Sequence, residues 1–156
     1  MTRVFQLGLI IEAVLNIVGA LPFVLYPEWC LSFAIAVDPE SGIVNVPPSS
    51  ALLWQVYGVL VLALTVPTIQ CIPNSEAVAE KRRLTFNTLI AGEVFLEALL
   101  LWHISQPDRS GFTSTSLILS AVFLLPALSW HTFAVYIMPS LLQSYDVPTK
   151  PAKKTL

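Results

Sequence analysis

The stretch LTFNTLIAGEVFLEALLLWHI, residues 84–104, decides the fold that this sequence predicts. At about 1.5 Å per residue, a helix of this length crosses the ~30 Å hydrocarbon core of a membrane. Glu93 and Glu97 stand inside the apolar run, one helical turn apart, on a face that Phe86 and Ile90 continue. The stretch therefore predicts a transmembrane helix that turns two carboxyl groups toward the interior of a bundle.

Three further apolar runs, residues 4–26, 51–70 and 113–138, bring the number of predicted spans to four. Of the 156 residues, 55% are hydrophobic and 12% are charged, whereas about 25% of a soluble domain is charged. We expect an all-α, four-helix transmembrane bundle. Residues 1–145 are expected to form its single domain, and residues 146–156 a flexible basic cytosolic tail.

The basic residues predict the orientation of the bundle. Arg3, the run at residues 81–83 and the lysines of the tail fall on one side of an even number of helices. Because positively charged loops stay in the cytosol, both termini are expected to be cytosolic. Residues 27–50 lie on the other side and begin with an apolar stretch too short to span. They are expected to form an interfacial, re-entrant or lid segment between the first two helices.

The two ends of the chain bear on localisation. The last residues, Lys153-Lys154-Thr155-Leu156, resemble the dilysine retrieval signal of endoplasmic-reticulum membrane proteins, which is read in the cytosol. We expect an integral protein of that membrane, the alternative being a basic tail with accidental spacing. The first helix also resembles a signal peptide, but Glu12 and Asn16 inside its apolar region argue against cleavage.

Polar residues on the first helix indicate a site inside the bundle. Glu12 and Asn16 recur at helical spacing with Gly8 and Gly19, so one face combines polar groups with small residues that admit a neighbouring helix. A carboxylate near the centre of the bilayer costs about 2 to 3 kcal/mol, and such residues usually face the bundle interior and mark a site. This face is therefore expected to point inward.

Depth groups the polar residues into two layers. Counted at ~1.5 Å per residue from the cytosolic helix ends, Glu12 and Glu93 lie about 12 to 14 Å deep, and Asn16 and Glu97 about 18 to 20 Å deep. His131 of the fourth helix falls at about 10 Å, just below the lower layer. Glu12 and Glu93 are predicted to be the catalytic residues.

A further set of residues is predicted to bind or orient a substrate: Asn16, Trp54, Gln55, Tyr57, Glu97 and His131. Those of the second helix are expected at about 18 to 24 Å, where they would line the upper layer. Plainer interpretations stay open, with Glu97 as interhelical glue, His131 as an interface residue and Trp130 as part of an aromatic belt.

Paired carboxyl groups in a low-dielectric pocket suit acid/base chemistry, since mutual repulsion keeps one protonated beside the other's charge. One group can donate a proton while the other accepts one from water or a hydroxyl. No cofactor is expected for such a reaction. Cys30, Cys71 and the two histidines lack the spacing of metal ligands, so no metal is predicted. The absence of a basic patch with interleaved aromatics excludes nucleic-acid binding.

Four sequence features carry a resemblance to known enzymes: Glu12 with Asn16, Trp54-Gln55, Arg83 and Gly92-Glu93. With its size and four helices, the chain resembles the small membrane epoxide hydrolases and cyclases of fungal polyketide and terpenoid pathways. The resemblance implies an acidic pair that opens an epoxide, which depth and face map to Glu12 and Glu93. A second resemblance, of architecture alone, is to the sterol isomerase and sigma-2-receptor family.

The sequence thus predicts a membrane-embedded enzyme that opens an epoxide of a lipophilic polyketide or terpenoid, by hydrolysis or cyclisation. The alternatives are a sterol-isomerase-like enzyme, a non-enzymatic lipid-binding or scaffold protein, and an ion carrier. The expected partners are the lipophilic substrate and membrane lipid. A homodimer and an association with other pathway enzymes are both compatible with the sequence.

Overall fold

The structure, a computed structural model, describes residues 3–38, 42–106 and 109–143, the side chain of Glu76 excepted. The helices are α1 (Arg3–Leu25), α2 (Pro27–Ser32), α3 (Pro48–Gln70), α4 (Glu76–Ser105) and α5 (Ser114–Thr132), followed by a π-helical segment (Phe133–Ile137) and a 3-10 turn (Pro139–Leu142). Four of these helices, α1, α3, α4 and α5, are long and apolar enough to cross a membrane. The predicted all-α fold with four transmembrane helices is confirmed. The tail, residues 146–156, lies outside the described residues.

The four long helices are arranged as two pairs, because α1 packs along α3 and α4 packs along α5. In the first pair, Gly58 lets α3 approach α1 closely. A Cβ atom at Gly58 would lie 2.8 Å from Val24 Cγ2 and 3.1 Å from the Ala20 carbonyl oxygen. Gln55 adds a hydrogen bond from Nε2 to the Val24 carbonyl oxygen, at 3.0 Å.

An aromatic cluster joins the two pairs at the end of the bundle where α1 begins. The ring centroid of Phe5 lies 5.9 Å from that of Phe86 and 5.5 Å from that of Trp130. Gly8 makes room for the indole, since a Cβ there would lie 3.2 Å from Trp130 Cζ2. The Trp130 ring thus packs between helices, and its membership of an aromatic belt stays a prediction.

At the opposite end, α2 and the segment after it cover the bundle. α2 packs against α3 and α1. Thr113 donates its backbone N–H to the Ala34 carbonyl oxygen at 2.8 Å, and Ala36 donates to that of Gly111 at 2.9 Å. The Ser116 hydroxyl also donates to the Ala34 carbonyl, at 3.0 Å. The covering segment predicted at residues 27–50, of which 39–41 are not described, is thereby tied to the start of α5.

Arg82 is completely buried. Its Nε donates to the Cys71 carbonyl oxygen at 2.9 Å, its Nη1 to that of Leu142 at 3.0 Å, and its Nη2 to that of Pro73. Cys71 caps the carboxyl end of α3 and Leu142 ends the 3-10 turn, and helix carboxyl ends offer free carbonyls and the negative end of the helix dipole. The expectation of a basic loop at residues 81–83 is corrected here, because α4 begins at Glu76 and turns Arg82 inward.

The close approach at Gly58 yields a prediction about stability. Gly58→Val should lower the thermal midpoint of the purified protein in detergent by about 3 to 8 °C, because overpacking costs about 1 to 3 kcal/mol. Gly19→Val is the matched control, since a Cβ at Gly19 meets no atom within 4 Å. Equal midpoints for the two variants would contradict this packing of α1 on α3.

The burial of Arg82 yields a second prediction. Arg82→Met should lower the same midpoint by at least about 6 °C, because it leaves three carbonyl groups without a donor, at about 1 to 3 kcal/mol each and about 2 to 4 °C per kcal/mol. Arg83→Met, at an exposed position of the same helix turn, should change it little. A larger effect at position 83 than at position 82 would refute the assignment.

Candidate functional site

Three ionisable side chains from three helices meet inside the bundle. Glu12 lies midway along α1, Glu93 midway along α4, and His131 in the last turn of α5, just before the π-helical segment. The side chains are 15%, 12% and 2% exposed, in that order. We call Glu12, His131 and Glu93 the triad.

His131 bridges the two carboxyl groups. Its Nε2 lies 3.0 Å from Glu12 Oε1. Its Nδ1 lies 2.8 Å from Glu93 Oε1 and 3.0 Å from Glu93 Oε2. The ring of Phe86 covers the imidazole, with centroids 4.8 Å apart. Each ring nitrogen thus has a carboxyl partner, and the imidazole is held from three sides.

Counting hydrogens defines what the triad can do. Two nitrogen–carboxyl hydrogen bonds need two hydrogens, which are carried either by an imidazolium between two carboxylates or by a neutral imidazole beside one carboxylic acid. Both arrangements have a net charge of −1. They differ only in the position of a proton, so the imidazole can pass a proton from one carboxyl group to the other without changing the charge of the site.

No protein-family model, curated protein or solved structure matches this chain. The resemblance to fungal membrane epoxide hydrolases and cyclases therefore stays a prediction. Since a helical bundle hosts many activities, the function has to be argued from the site itself.

The two glutamates of the triad are not equivalent. Both carboxyl oxygens of Glu93 lie within hydrogen-bond distance of His131 Nδ1. Glu12 uses Oε1 on the imidazole, and its Oε2 is buried without a hydrogen-bond partner among the described residues. Glu12 Oε2 is thus the carboxyl oxygen of the triad that has no hydrogen-bond partner within the described residues.

Two residues of the predicted upper layer, Asn16 and Glu97, lie one helical turn from the triad, but they are not linked by hydrogen bonds as the triad residues are. Glu97 follows Glu93 by one turn of α4, and its Oε2 is likewise buried without a partner within the described chain. Asn16 follows Glu12 by one turn of α1 and is half-buried. The structure gives these two residues no hydrogen bond to each other, so the layer is not a hydrogen-bonded unit.

Trp54, Gln55 and Tyr57 lie nearer to α2 than predicted. The rings of Trp54 and Tyr57 pack on Phe23, with centroids 5.1 and 5.8 Å away, and not beside Asn16. Their predicted place in the upper layer is therefore corrected. The side chain of Gln55 binds the backbone of α1 at Val24, so Gln55 has a packing role.

The helix register explains this difference. Gln6 donates from Nε2 to the Ile72 carbonyl oxygen at 3.1 Å, so residue 72, beyond the end of α3, lies opposite residue 6. Counting equally far along both helices from that contact brings Gly58 opposite Ala20, where it is found. Counting depth from residue 70 therefore places the residues of α3 one to two helical turns too close to the cytosolic side.

The sequence predicts only a substrate-orienting role for His131, whereas in the structure His131 links Glu12 and Glu93. Its depth of about 10 Å suggested a position near Glu12 and Glu93, but depth gives no direction around a helix. The signal available in the sequence was a histidine within a few ångströms of the depth of two buried carboxyl groups.

Both imidazole nitrogens of His131 are engaged by carboxyl groups. The described residues contain no group of three or more His, Cys, Asp or Glu placed to hold a metal ion.

The triad yields a prediction about its energetics. His131→Leu should destabilise the protein by about 3 to 5 kcal/mol, because it leaves two buried carboxyl groups without their partner. Adding Glu12→Leu and Glu93→Leu should recover most of that loss, since apolar replacement of a whole buried ionic group is often neutral. Denaturant unfolding of the single and triple variants measures both the loss of unfolding free energy and its recovery.

His103→Leu is the matched control, because Nδ1 of His103 is buried without a hydrogen-bond partner among the described residues. It should change the free energy of unfolding far less than His131→Leu. A triple variant that is less stable than His131→Leu alone would contradict the triad as an isolated ionic unit.

Proposed function

We propose that the protein is a membrane-embedded, cofactor-independent acid/base enzyme that opens an epoxide of a lipophilic polyketide or terpenoid. The attacking group is water or a hydroxyl of the substrate, giving hydrolysis or cyclisation. The observation that supports this most is the triad, a buried proton-holding group with one carboxyl oxygen that has no partner among the described residues, inside a bundle of four helices apolar enough to cross a membrane.

Glu12 is the acid in this proposal. In the reactive state the triad carries a third hydrogen on Glu12 Oε2, beside an imidazolium and the Glu93 carboxylate, and Oε2 gives this proton to the epoxide oxygen as the carbon–oxygen bond of the ring breaks. The two-hydrogen triad of net charge −1 remains, and the imidazolium compensates the new charge on Glu12 through the Nε2 contact at 3.0 Å. General acid catalysis of this kind contributes about 10²- to 10⁴-fold to a rate.

Glu97 is the proposed base. As the nucleophile bonds to the epoxide carbon, its proton goes to the free Oε2 of Glu97, the other buried carboxyl oxygen without a partner within the described residues. One proton thus leaves Glu12 and one arrives at Glu97, and its return through the product or water restores the site. In this proposal Asn16, one turn of α1 beyond Glu12, orients the nucleophile.

Glu93 acts through His131 in this scheme and is a positioning residue. Its bidentate contact with Nδ1 fixes the plane of the imidazole and compensates positive charge on it. The earlier assignment of Glu93 as direct partner of Glu12 is thereby refined, because His131 occupies the space between the two carboxyl groups.

A sterol-isomerase-like activity is the second candidate, and the single imidazole that links both carboxyl groups favours it. Protonation of an alkene carbon at one place and loss of a proton at another needs such a return path. Isotopes separate the two reactions: isomerisation in D₂O places deuterium on carbon, whereas hydrolysis in H₂¹⁸O places ¹⁸O in the product.

We also propose that the protein resides in the endoplasmic reticulum. The support is the terminal Lys153-Lys154-Thr155-Leu156, together with four helices that keep both termini on one side of a membrane. The tail itself lies outside the described residues.

The acid role of Glu12 is tested by turnover of polyene and prenyl epoxides by the purified protein. Glu12→Gln should lower kcat by about 100-fold or more, because an amide cannot donate the proton. Glu93→Gln should lower kcat less and leave KM nearly unchanged, since Glu93 does not contact the substrate. Glu28→Gln, on the exposed surface of α2, is the control.

Unchanged turnover in Glu12→Gln would refute this assignment. Substrate binding without conversion in the unmodified protein would favour the lipid-binding alternative.

A further inference from the structure

Four buried side-chain atoms lack a hydrogen-bond partner among the described residues: Glu12 Oε2, Glu97 Oε2, His103 Nδ1 and Trp54 Nε1. Buried polar atoms in folded proteins nearly always have a partner, and each exception needs an explanation. Four exceptions in one small bundle indicate a missing partner that is shared by several of them.

These atoms follow one another along the bundle. Glu97 lies one turn, about 6 Å, beyond Glu93, and His103 lies ten residues, about 15 Å, beyond it. Trp54 packs on Phe23, which is eleven residues, about 16 Å, along α1 from Glu12. The unpartnered atoms thus extend from the triad to the end of the bundle that α2 covers.

A pocket of about 450 Å³ lies at that end, within the usual size range of small-molecule sites. Its described lining carries no charged side chain: Leu31, Ile35, Asn45, Pro47, Ser50, Leu53, Trp54, Ser110, Gly111 and Phe112. Trp54 therefore belongs both to the pocket and to the set of unpartnered groups.

We propose that the substrate is an elongated amphipathic lipophile with two oxygen-bearing ends about 16 Å apart. One end reacts at Glu12, and the other lies in the pocket, where an oxygen accepts a hydrogen bond from Trp54 Nε1–H. This names the substrate class for the proposed function, on which it rests. It also gives the covering segment at residues 27–50 a role, because that segment contributes five of the lining residues, from Leu31 to Ser50.

The chemistry of Trp54 restricts the distant end. An indole N–H donates and does not accept, so its partner must be an acceptor. With no charged side chain in the described lining, a neutral carbonyl, ether or hydroxyl oxygen fits better than a carboxylate or phosphate, which would be buried without a counter-charge. The apolar walls of the pocket suit the hydrocarbon part of the substrate next to that oxygen.

Two probes test the placement in the full-length protein reconstituted in lipid nanodiscs. The first is a long-chain methyl ester with an epoxide about 16 Å from the ester, a separation taken from the helix rise. The second is the hydrocarbon epoxide of equal chain length without the ester. A diazirine beside the ester of the first probe, or at the matching carbon of the second, marks by photolabelling where that end lies.

The ester probe should label partly buried residues of the pocket wall, such as Ile35 and Phe112. Trp54→Phe keeps the ring contacts but removes the N–H, and should weaken binding of the ester about 3- to 10-fold, the value of one hydrogen bond. Binding of the hydrocarbon epoxide should not change. Trp102→Phe, at an exposed position of α4, is the control.

Labelling of outward residues such as Phe95 and Phe123, or an equal response of both probes to Trp54→Phe, would overturn the proposal. The thermal midpoint of ligand-free Trp54→Phe shows that this variant is folded. Photolabelling needs no turnover, so the placement can fail while Glu12→Gln still abolishes activity, and the converse result is equally visible.

Discussion

A histidine buried inside a membrane bundle is stabilised when both ring nitrogens find protein partners, because hydrocarbon offers none. His131 finds these partners in Glu12 on one side and Glu93 on the other. Glu12 belongs to the α1–α3 pair, whereas Glu93 and His131 belong to the α4–α5 pair. The imidazole therefore joins the two pairs, and their relative position depends on it.

The contacts around the triad also hold the α1–α3 pair against the α4–α5 pair. Phe86 lies on the imidazole and also on Phe5, which in turn contacts Trp130, the residue just before His131. Arg82, one turn before Phe86, holds the ends of α3 and of the 3-10 turn. Packing and hydrogen bonding near one end of the bundle thus fix the geometry of the carboxyl groups, while the other end is left to the covering segment and its pocket.

Apolar length and helical spacing were sufficient to predict the four helices and the inward faces of Glu12, Glu93 and Glu97. They did not predict the joint itself. Depth along a helix is readable from sequence, but the rotation of α5 that brings His131 between two glutamates depends on contacts such as Gly8 with Trp130. The register of α1 against α3 depends on Gln6 and Ile72, and the burial of Arg82 on carbonyl groups distant in sequence, so neither leaves a local pattern.

The triad holds two hydrogens for two hydrogen bonds and leaves Glu12 Oε2 without a partner among the described residues, which is why acid/base chemistry is proposed for this fold. The most direct measurement is ¹⁵N and ¹³C solid-state NMR on labelled His103→Leu protein in lipid, in which His131 is the remaining histidine. The structure predicts through-space coupling of Nε2 to the carboxyl carbon of Glu12 and of Nδ1 to that of Glu93. Coupling of His131 to one glutamate, or to neither, would contradict the bridge.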